Sequence, residues 1–464
     1  MTDLARLFAA RPDVQPIMVV TPANADLIKP TLSRSAAAGI HVGVLLYPFP
    51  SAEAGLPPGK ENLSSLTLDD EWRIYKAVDF SREAHRRVLQ DHRPNAVIAD
   101  VPYYWTTEFA AELGIPRVTF HVVGAFAQCV MQVLHRRPPL PEIGNSPFVV
   151  PEIPGSKPVE LVRSELPGFL RSPDHLAEVW DRIRWAQLEC FGAVVNTFYE
   201  FEPEFCEWYR ERECSEGRGW YVGPLALSYV DDGGGAAERG GGEAAESWER
   251  CRRWLDEKEE GSVLFVCLGS WYSSGEEQLR EMAVGLEESG RPFLWVVRGG
   301  GNGWSPADGW EDRVGARGLV VTGWAPQVAI LNHRAISAFM SHCGWNSVME
   351  AVAAGVSLLT WPLAFEQFIN ERLVTTVLGI GERVWDGFRS TMDKEKVVVP
   401  ATTIASAVAG FFDSGGKGVS ARQTAMECAK KAKAAVAVGG SSWKDLNHLI
   451  DALRAWRPAP DTGE

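Results

Sequence analysis

Apolar and polar positions along the first quarter of the chain recur with two alternating periods. Residues 2–12 carry the spacing of an amphipathic helix, and 14–21 form an apolar run that ends in Thr-Pro, as a strand does. Residues 24–38 return to helical spacing, and 41–47 form the next apolar strand. A long amphipathic helix is predicted over 70–91, a short buried strand over 96–99 ending at Asp100, a helix over 103–113 and a strand over 117–122. Short continuous apolar strands that alternate with helices predict a parallel sheet covered on both faces.

The same pattern restarts after a break. The stretch DDGGGAAERGGGEAAE at 231–246 holds six glycines and no large apolar residue, which predicts a flexible linker or an exposed loop. Beyond it, SVLFVCLG within 261–269 reads as a strand, 275–290 as a helix and 292–298 as a strand. Further strands are predicted at 319–322, 338–340 and 356–361. The expected fold class is therefore α/β, with two doubly wound, Rossmann-like domains facing across a cleft. The predicted boundaries are 1–230 for the first domain, 231–247 for the linker and 248–440 for the second domain, followed by a segment at 441–464. Ligands of such sheets sit outside the carboxyl ends of the strands.

Composition narrows the function. Lys plus Arg number 46 against 60 Asp plus Glu, a net charge of −14. Such a chain is not expected to bind nucleic acid or an anionic membrane through its overall field. An anionic ligand must then be held locally. No apolar run reaches the about 18 residues of a membrane helix, so no membrane insertion is expected. The opening MTDLARLFAARPD is too short and too charged for a secretory signal. Eight scattered cysteines without a CxxC pair point to neither a zinc site nor a disulfide framework, and a reducing cytoplasmic location fits. Eighteen tryptophans, twice the tyrosine count, leave room for stacking surfaces.

The chemistry is concentrated in residues 324–367, WAPQVAILNHRAISAFMSHCGWNSVMEAVAAGVSLLTWPLAFEQ. Trp324 follows a strand, and its face could stack on a planar base whose edge Ala325 and Gln327 could read. A strand then leads into Ser341-His342-Cys343-Gly344-Trp345-Asn346-Ser347 and a helix. Strand, glycine turn and helix start suit a diphosphate, because the helix dipole and first-turn N–H groups stabilise negative charge. His342 adds a donor. Glu350, one turn on, can accept from two neighbouring hydroxyls of a ribose. Glu366 and Gln367 suit the vicinal hydroxyls of a hexose. Each part alone has a plain structural reading as packing, core histidine or solvated carboxylate. Zinc is disfavoured, since His342 and Cys343 lack a second ligand pair. In order within 44 residues, the parts describe a uridine diphosphate sugar.

The segment resembles, over all 44 positions, the signature box of plant secondary-product glycosyltransferases, the family 1 UDP-glycosyltransferases. The resemblance extends along the chain and includes VCLGS at 266–270 and the pair Asp100 with Trp105. It implies a GT-B fold, with nucleotide sugar on the C-terminal domain and acceptor on the N-terminal one. A final helix around 441–455 is expected to cross back to the first domain. By the same resemblance Trp324 stacks on uracil with Ala325 and Gln327 nearby, Glu350 binds ribose, and His342, Asn346, Ser347 and Ser270 hold the phosphates. Trp345, Glu366 and Gln367 contact the hexose. Gln at the last position is associated with glucose. Two residues depart from the box: Ser337 stands where it usually has Gly and Ser357 where it usually has Pro.

The resemblance further implies inverting, metal-independent transfer of glucose from UDP-glucose to a hydroxyl of a small hydrophobic plant metabolite of flavonoid, terpenoid or hormone type, with no cofactor. Trp105, Phe120, His121 and Phe126 are the expected acceptor lining. The catalytic Asp of the family maps to Asp100, which could also cap the helix over 103–113, and the two roles can coexist. The family's general-base His does not map. It lies in a loop before a helix resembling TDLARLFAA, and none of the nine His precedes that helix. The first strand and the catalytic loop are expected to be missing, either through an incomplete gene model or in a genuine short isoform. Losing a general base costs about 10²–10⁴ in rate. The alternative reading is thus a catalytically impaired UDP-sugar-binding protein. A GT-B phosphorylase or epimerase fits the order and spacing of the box less well.

Overall fold

A computed structural model describes residues 1–62, 71–171, 175–232, 242–269, 275–297 and 304–457. Ser270 and most of the glycine-rich stretch lie outside the described residues. The chain divides into two compact units. The first holds 1–125, 174–228 and 434–464, and the second 126–173 and 229–433.

In the first unit, β1 (Ile17–Val20) pairs in parallel with β2 (Gly43–Leu46). A separate parallel sheet runs β3 (Val97–Asp100), β4 (Arg117–His121), β7 (Gly192–Val195), β8 (Gly219–Tyr221). The single sheet expected from the strand pattern is therefore in two pieces, and among the described residues no ladder joins β1 to β3. The helix predicted over 70–91 is also two helices, Glu71–Phe80 and Arg82–His92. At the break, the Ser81 hydroxyl donates to the Val78 carbonyl at 2.6 Å, a side-chain bond that competes with the helical ladder.

The opening helix Thr2–Ala9 buries Leu4 and Phe8 against Val118, Phe120, Val194 and Trp220. Leu446, Leu449 and Ile450 of the last helix, Ser441–Ala455, complete that core. The segment's three apolar side chains share one face by their three- and four-residue spacing. Arg11 Nε donates to Asn447 Oδ1 at 3.1 Å, so the two ends of the chain meet in this unit.

The second unit contains the antiparallel pair β5 (Phe148–Val149) and β6 (Glu160–Leu161). Its main sheet is built from β9 (Val263–Cys267), β10 (Phe293–Val297), β11 (Gly318–Thr322), β12 (Ile336–Ser341), β13 (Ser357–Thr360) and β14 (Gly381–Arg383). All are parallel, in the order β11-β10-β9-β12-β13-β14. The order reverses between β9 and β12, which makes the carboxyl ends of those two strands the switch point of a doubly wound sheet. Leu264, Val266, Trp295, Met340 and Leu359 are buried on one face and Phe265, Leu294, Phe339 and Leu358 on the other, which explains why these strands are continuous apolar runs.

Segment 126–173 groups with the second unit, whereas the hydrophobic pattern placed it in the first domain. Hydrogen bonds and ion pairs between distant parts of the sequence account for this. Glu165 pairs with Arg372 and Arg389, each at 2.5 Å. Thr391 Oγ1 donates to the Leu166 carbonyl at 2.7 Å, and Lys157 Nζ to the Thr376 carbonyl at 2.6 Å. Periodicity reports local structure and carries no signal for such pairings.

Candidate functional site

The switch point is where the sequence concentrates its chemistry. Gly269 follows β9 and His342 follows β12. The half-buried His342 ring lies against the backbone of Gly269 and Gly344. A Cβ at Gly269 would come within 2.8 Å of His342 Nε2, and one at Gly344 would come closer still. Gly269 also has φ +90°, a conformation that side-chain-bearing residues rarely adopt. The glycines on the two sides of the imidazole are what let it sit there. Cys343, between them, is fully buried in the left-handed region at φ +62°.

The helix Trp345–Ala354 starts at once after Gly344. In any α-helix the first-turn N–H groups are not satisfied by the helix's own carbonyls. Here that turn is Trp345, Asn346 and Ser347, which places an anion-favouring end beside His342. The Trp345 ring is only 2% exposed. Asn346 is exposed and Ser347 nearly buried.

Gln327 opens the helix Gln327–Leu331. Its Nε2 donates to Ser347 Oγ at 2.9 Å and to Glu350 Oε2 at 2.8 Å. Three residues from two sequence segments thus converge. Half-buried Trp324 and buried Ala325 sit in the turn between β11 and this helix.

Glu366 and Gln367 stand at the start of the helix Gln367–Arg372. Gln367 Oε1 accepts from the backbone N–H groups of Leu363 at 2.9 Å and Ala364 at 3.0 Å. That fixes the orientation of the amide. Burial pushes the Glu366 carboxyl above the usual carboxylate range, while its own backbone N–H and the Asn370 amide pull it down. Asn370 was not legible as a site residue. The one clue is the i, i+4 spacing in EQFIN, which brings the two side chains together on a helix.

In the first unit, Asp100 ends β3, and its carboxylate accepts from the Val101 N–H at 2.8 Å. Burial raises the Asp100 pKa, opposed by that bond and by the Arg117 guanidinium. No bond from Asp100 to the following helix is present among the described residues, so the capping role is not seen. Trp105 is 1% exposed and meets Tyr103 and Tyr104 edge-on at centroid distances of 5.7 and 5.1 Å. Phe120 and His121 also lie in packed interior, each 1% exposed. Phe120 belongs to the core with Leu4 and Leu446. His121 Nε2 lies 3.2 Å from the Tyr209 hydroxyl, and burial, with Arg117, pushes its pKa down to about 3. Phe126 is fully buried and groups with the second unit. Strand alternation shows that a residue is inside, and it does not show whether a ligand or another side chain covers it.

Known proteins resemble this chain in sequence and fold. The family profile described as UDP-glucoronosyl and UDP-glucosyl transferase matches residues 224–397. The chain is 38% identical to anthocyanin 3'-O-beta-glucosyltransferase of Gentiana triflora, over 98% of this chain and 95% of that protein. Glycyrrhiza uralensis UGT73P12, solved with glycyrrhetinic acid 3-O-monoglucuronide, superposes with a TM-score of 0.89 at 33% identity, covering 98% of this chain and 92% of its own. Arabidopsis thaliana UGT89C1, solved with UDP-L-rhamnose, gives 0.75 at 27% identity, with 97% and 94% covered. The fold is GT-B, two Rossmann-like domains of an α/β glycosyltransferase. The chain belongs to the plant family 1 UDP-glycosyltransferases. Among the described residues no helix is long and apolar enough to cross a membrane.

Proposed function

We propose that this chain transfers glucose from UDP-glucose, with inversion and without a metal, to a hydroxyl of a small hydrophobic plant metabolite, giving a β-glucoside. The observation that carries the reading is the convergence of Gln327, Ser347 and Glu350 beside a helix start and His342. In it, uracil stacks on Trp324 with Ala325 and Gln327 alongside, and Glu350 accepts from the ribose hydroxyls. The diphosphate takes the first-turn N–H groups of Trp345, Asn346 and Ser347, with His342 as a further donor. A helix end and a histidine can offset the charge growing on UDP as it leaves, which makes a divalent cation unnecessary. Glu366 and the Gln367 amide nitrogen hold the hexose. Ser270 keeps its expected phosphate role.

Relatives support the substrate classes. The Gentiana protein is named for glucosyl transfer to an anthocyanin, and Phytolacca americana UGT2 was solved with UDP-2fluoro-glucose and pterostilbene. Asp100 is the residue proposed to act next to the attacking hydroxyl, orienting and charge-stabilising the general base that takes its proton, a histidine in the family to which no histidine of this chain maps. Trp105, Phe120 and His121 are proposed as acceptor lining. The localisation proposed is cytoplasmic.

The test is to incubate the purified chain with UDP-glucose and a phenolic panel and to seek a mass gain of one hexose. A β-glucoside supports the proposal. UDP-glucose binding without product supports the impaired sugar-binding reading, and absence of binding removes both.

A further inference from the structure

We infer that Asn370 is a positioning residue for the donor sugar, holding the Glu366 carboxylate toward the hexose from an anchor on the Cys343 carbonyl. The inference rests on the donor site proposed above. Asn370 is fully buried on the helix Gln367–Arg372, one turn beyond Glu366. Its Nδ2 donates to Glu366 Oε1 at 3.2 Å and to the Cys343 carbonyl at 2.9 Å. One amide therefore spans the two ends of the candidate site. Cys343 lies between His342 and Gly344, and its own N–H is held separately by the Ser341 hydroxyl at 3.2 Å.

Gln367 is anchored independently, through its Oε1 bonds to the Leu363 and Ala364 N–H groups. A change at Asn370 should thus release Glu366 and leave Gln367 and the loop before it in place. On the nucleotide side, Gln327, Ser347 and Glu350 form their own bonds and do not involve Asn370. This separation predicts that Asn370 discriminates between ligands with and without a hexose. An asparagine that served packing alone would not.

Calorimetric titration of UDP and UDP-glucose tests the assignment, using wild type, Asn370→Leu, Asn370→Ser, Glu366→Ala and the Asn370→Leu/Glu366→Ala double variant. Leucine has the branching of asparagine but donates no hydrogen bond, and serine, smaller and with a single short donor that cannot bridge both acceptors, tests the loss at lower steric risk. The expected result is that UDP-glucose affinity falls about tenfold while UDP affinity changes about twofold or less. In the Glu366→Ala background, Asn370→Leu should cost no further UDP-glucose affinity. Equal losses for the two ligands would overturn the inference, as would a full additional loss without Glu366. Failure of both Asn370 variants to fold would assign the residue to structure and end it too. A wild-type chain that binds neither ligand would instead overturn the donor-site reading, and this inference with it.

Discussion

Gln327 Nε2 lies 2.8 Å from a carboxylate oxygen of Glu350, and the same nitrogen donates to Ser347 at 2.9 Å. A neutral amide thus orients the acid that the proposed reading places on ribose. Because ribose is common to UDP and UDP-glucose, Glu350→Ala should weaken both ligands equally. The loss of a charged acceptor predicts about 1.5–3 kcal/mol, or tenfold and more in Kd. Gln327→Ala should cost less, and the two changes together less than their sum, since they share one interaction. Calorimetry with UDP checks this, and unchanged affinity in Glu350→Ala would refute the ribose assignment.

The His342 ring occupies space that only glycine leaves open at 269 and 344. Gly344→Ala should displace the imidazole and the start of the helix Trp345–Ala354 together. Gly269→Ala should also displace the imidazole and strain a backbone at φ +90°. UDP binding should fall sharply in both. In His342→Ala, the added methyl at 344 should be much better tolerated, because the atom it meets is gone. A Gly344→Ala penalty of the same size with and without the imidazole would rule this out.

Much of the second unit was legible because its physics is local. Continuous apolar runs mark strands buried on both faces, and a glycine turn before a helix marks an anion-binding end. The two departures from the box, Ser337 and Ser357, could be named from sequence, but their relation could not. The Ser357 hydroxyl donates to the Ser337 carbonyl at 2.9 Å, and the Ser337 hydroxyl to the Gly261 carbonyl at 2.6 Å. They meet where the β12 register shifts between Ile336 and Ala338. The bonds of Asn370 and the grouping of 126–173 were likewise hidden, because each depends on segments brought together only by folding. For Phe120 and His121, apolar spacing identified interior positions and left open what fills the space beside them.

Glu165 and Glu371, 5% and 0% exposed at the side chain, share Arg372 and Arg389 in a buried ring of ion pairs at 2.5–2.7 Å. Thr360 Oγ1 donates to the remaining Glu371 oxygen at 2.7 Å. Removing one acid leaves buried guanidinium groups uncompensated, so Glu371→Ala should destabilise the second unit by about 3–5 kcal/mol. Because the pairs are shielded from solvent ions, about 1 M salt should not reproduce the loss. A melting scan with and without salt tests both statements. A small, salt-sensitive effect would show that the pairs are open to water.

His121 supplies a pH signature for the first unit. Burial, aided by Arg117, lowers its pKa from 6.5 to about 3, so the folded ring stays neutral where the unfolded one is protonated. The unfolded state then binds more protons between those values, and stability falls as pH drops from 6.5 toward 3. One such group contributes a slope of up to about 1.4 kcal/mol per pH unit. His121→Gln can keep a bond to Tyr209 and cannot titrate. Its melting temperature should therefore decline less steeply below pH 6.5 than that of the wild type, with the curves parallel above it. Carboxylates titrate in the same range in both proteins, so the difference between the two curves isolates the histidine. Identical slopes across the acid range would mean that the folded protein protonates this ring, and that the space around it admits charge.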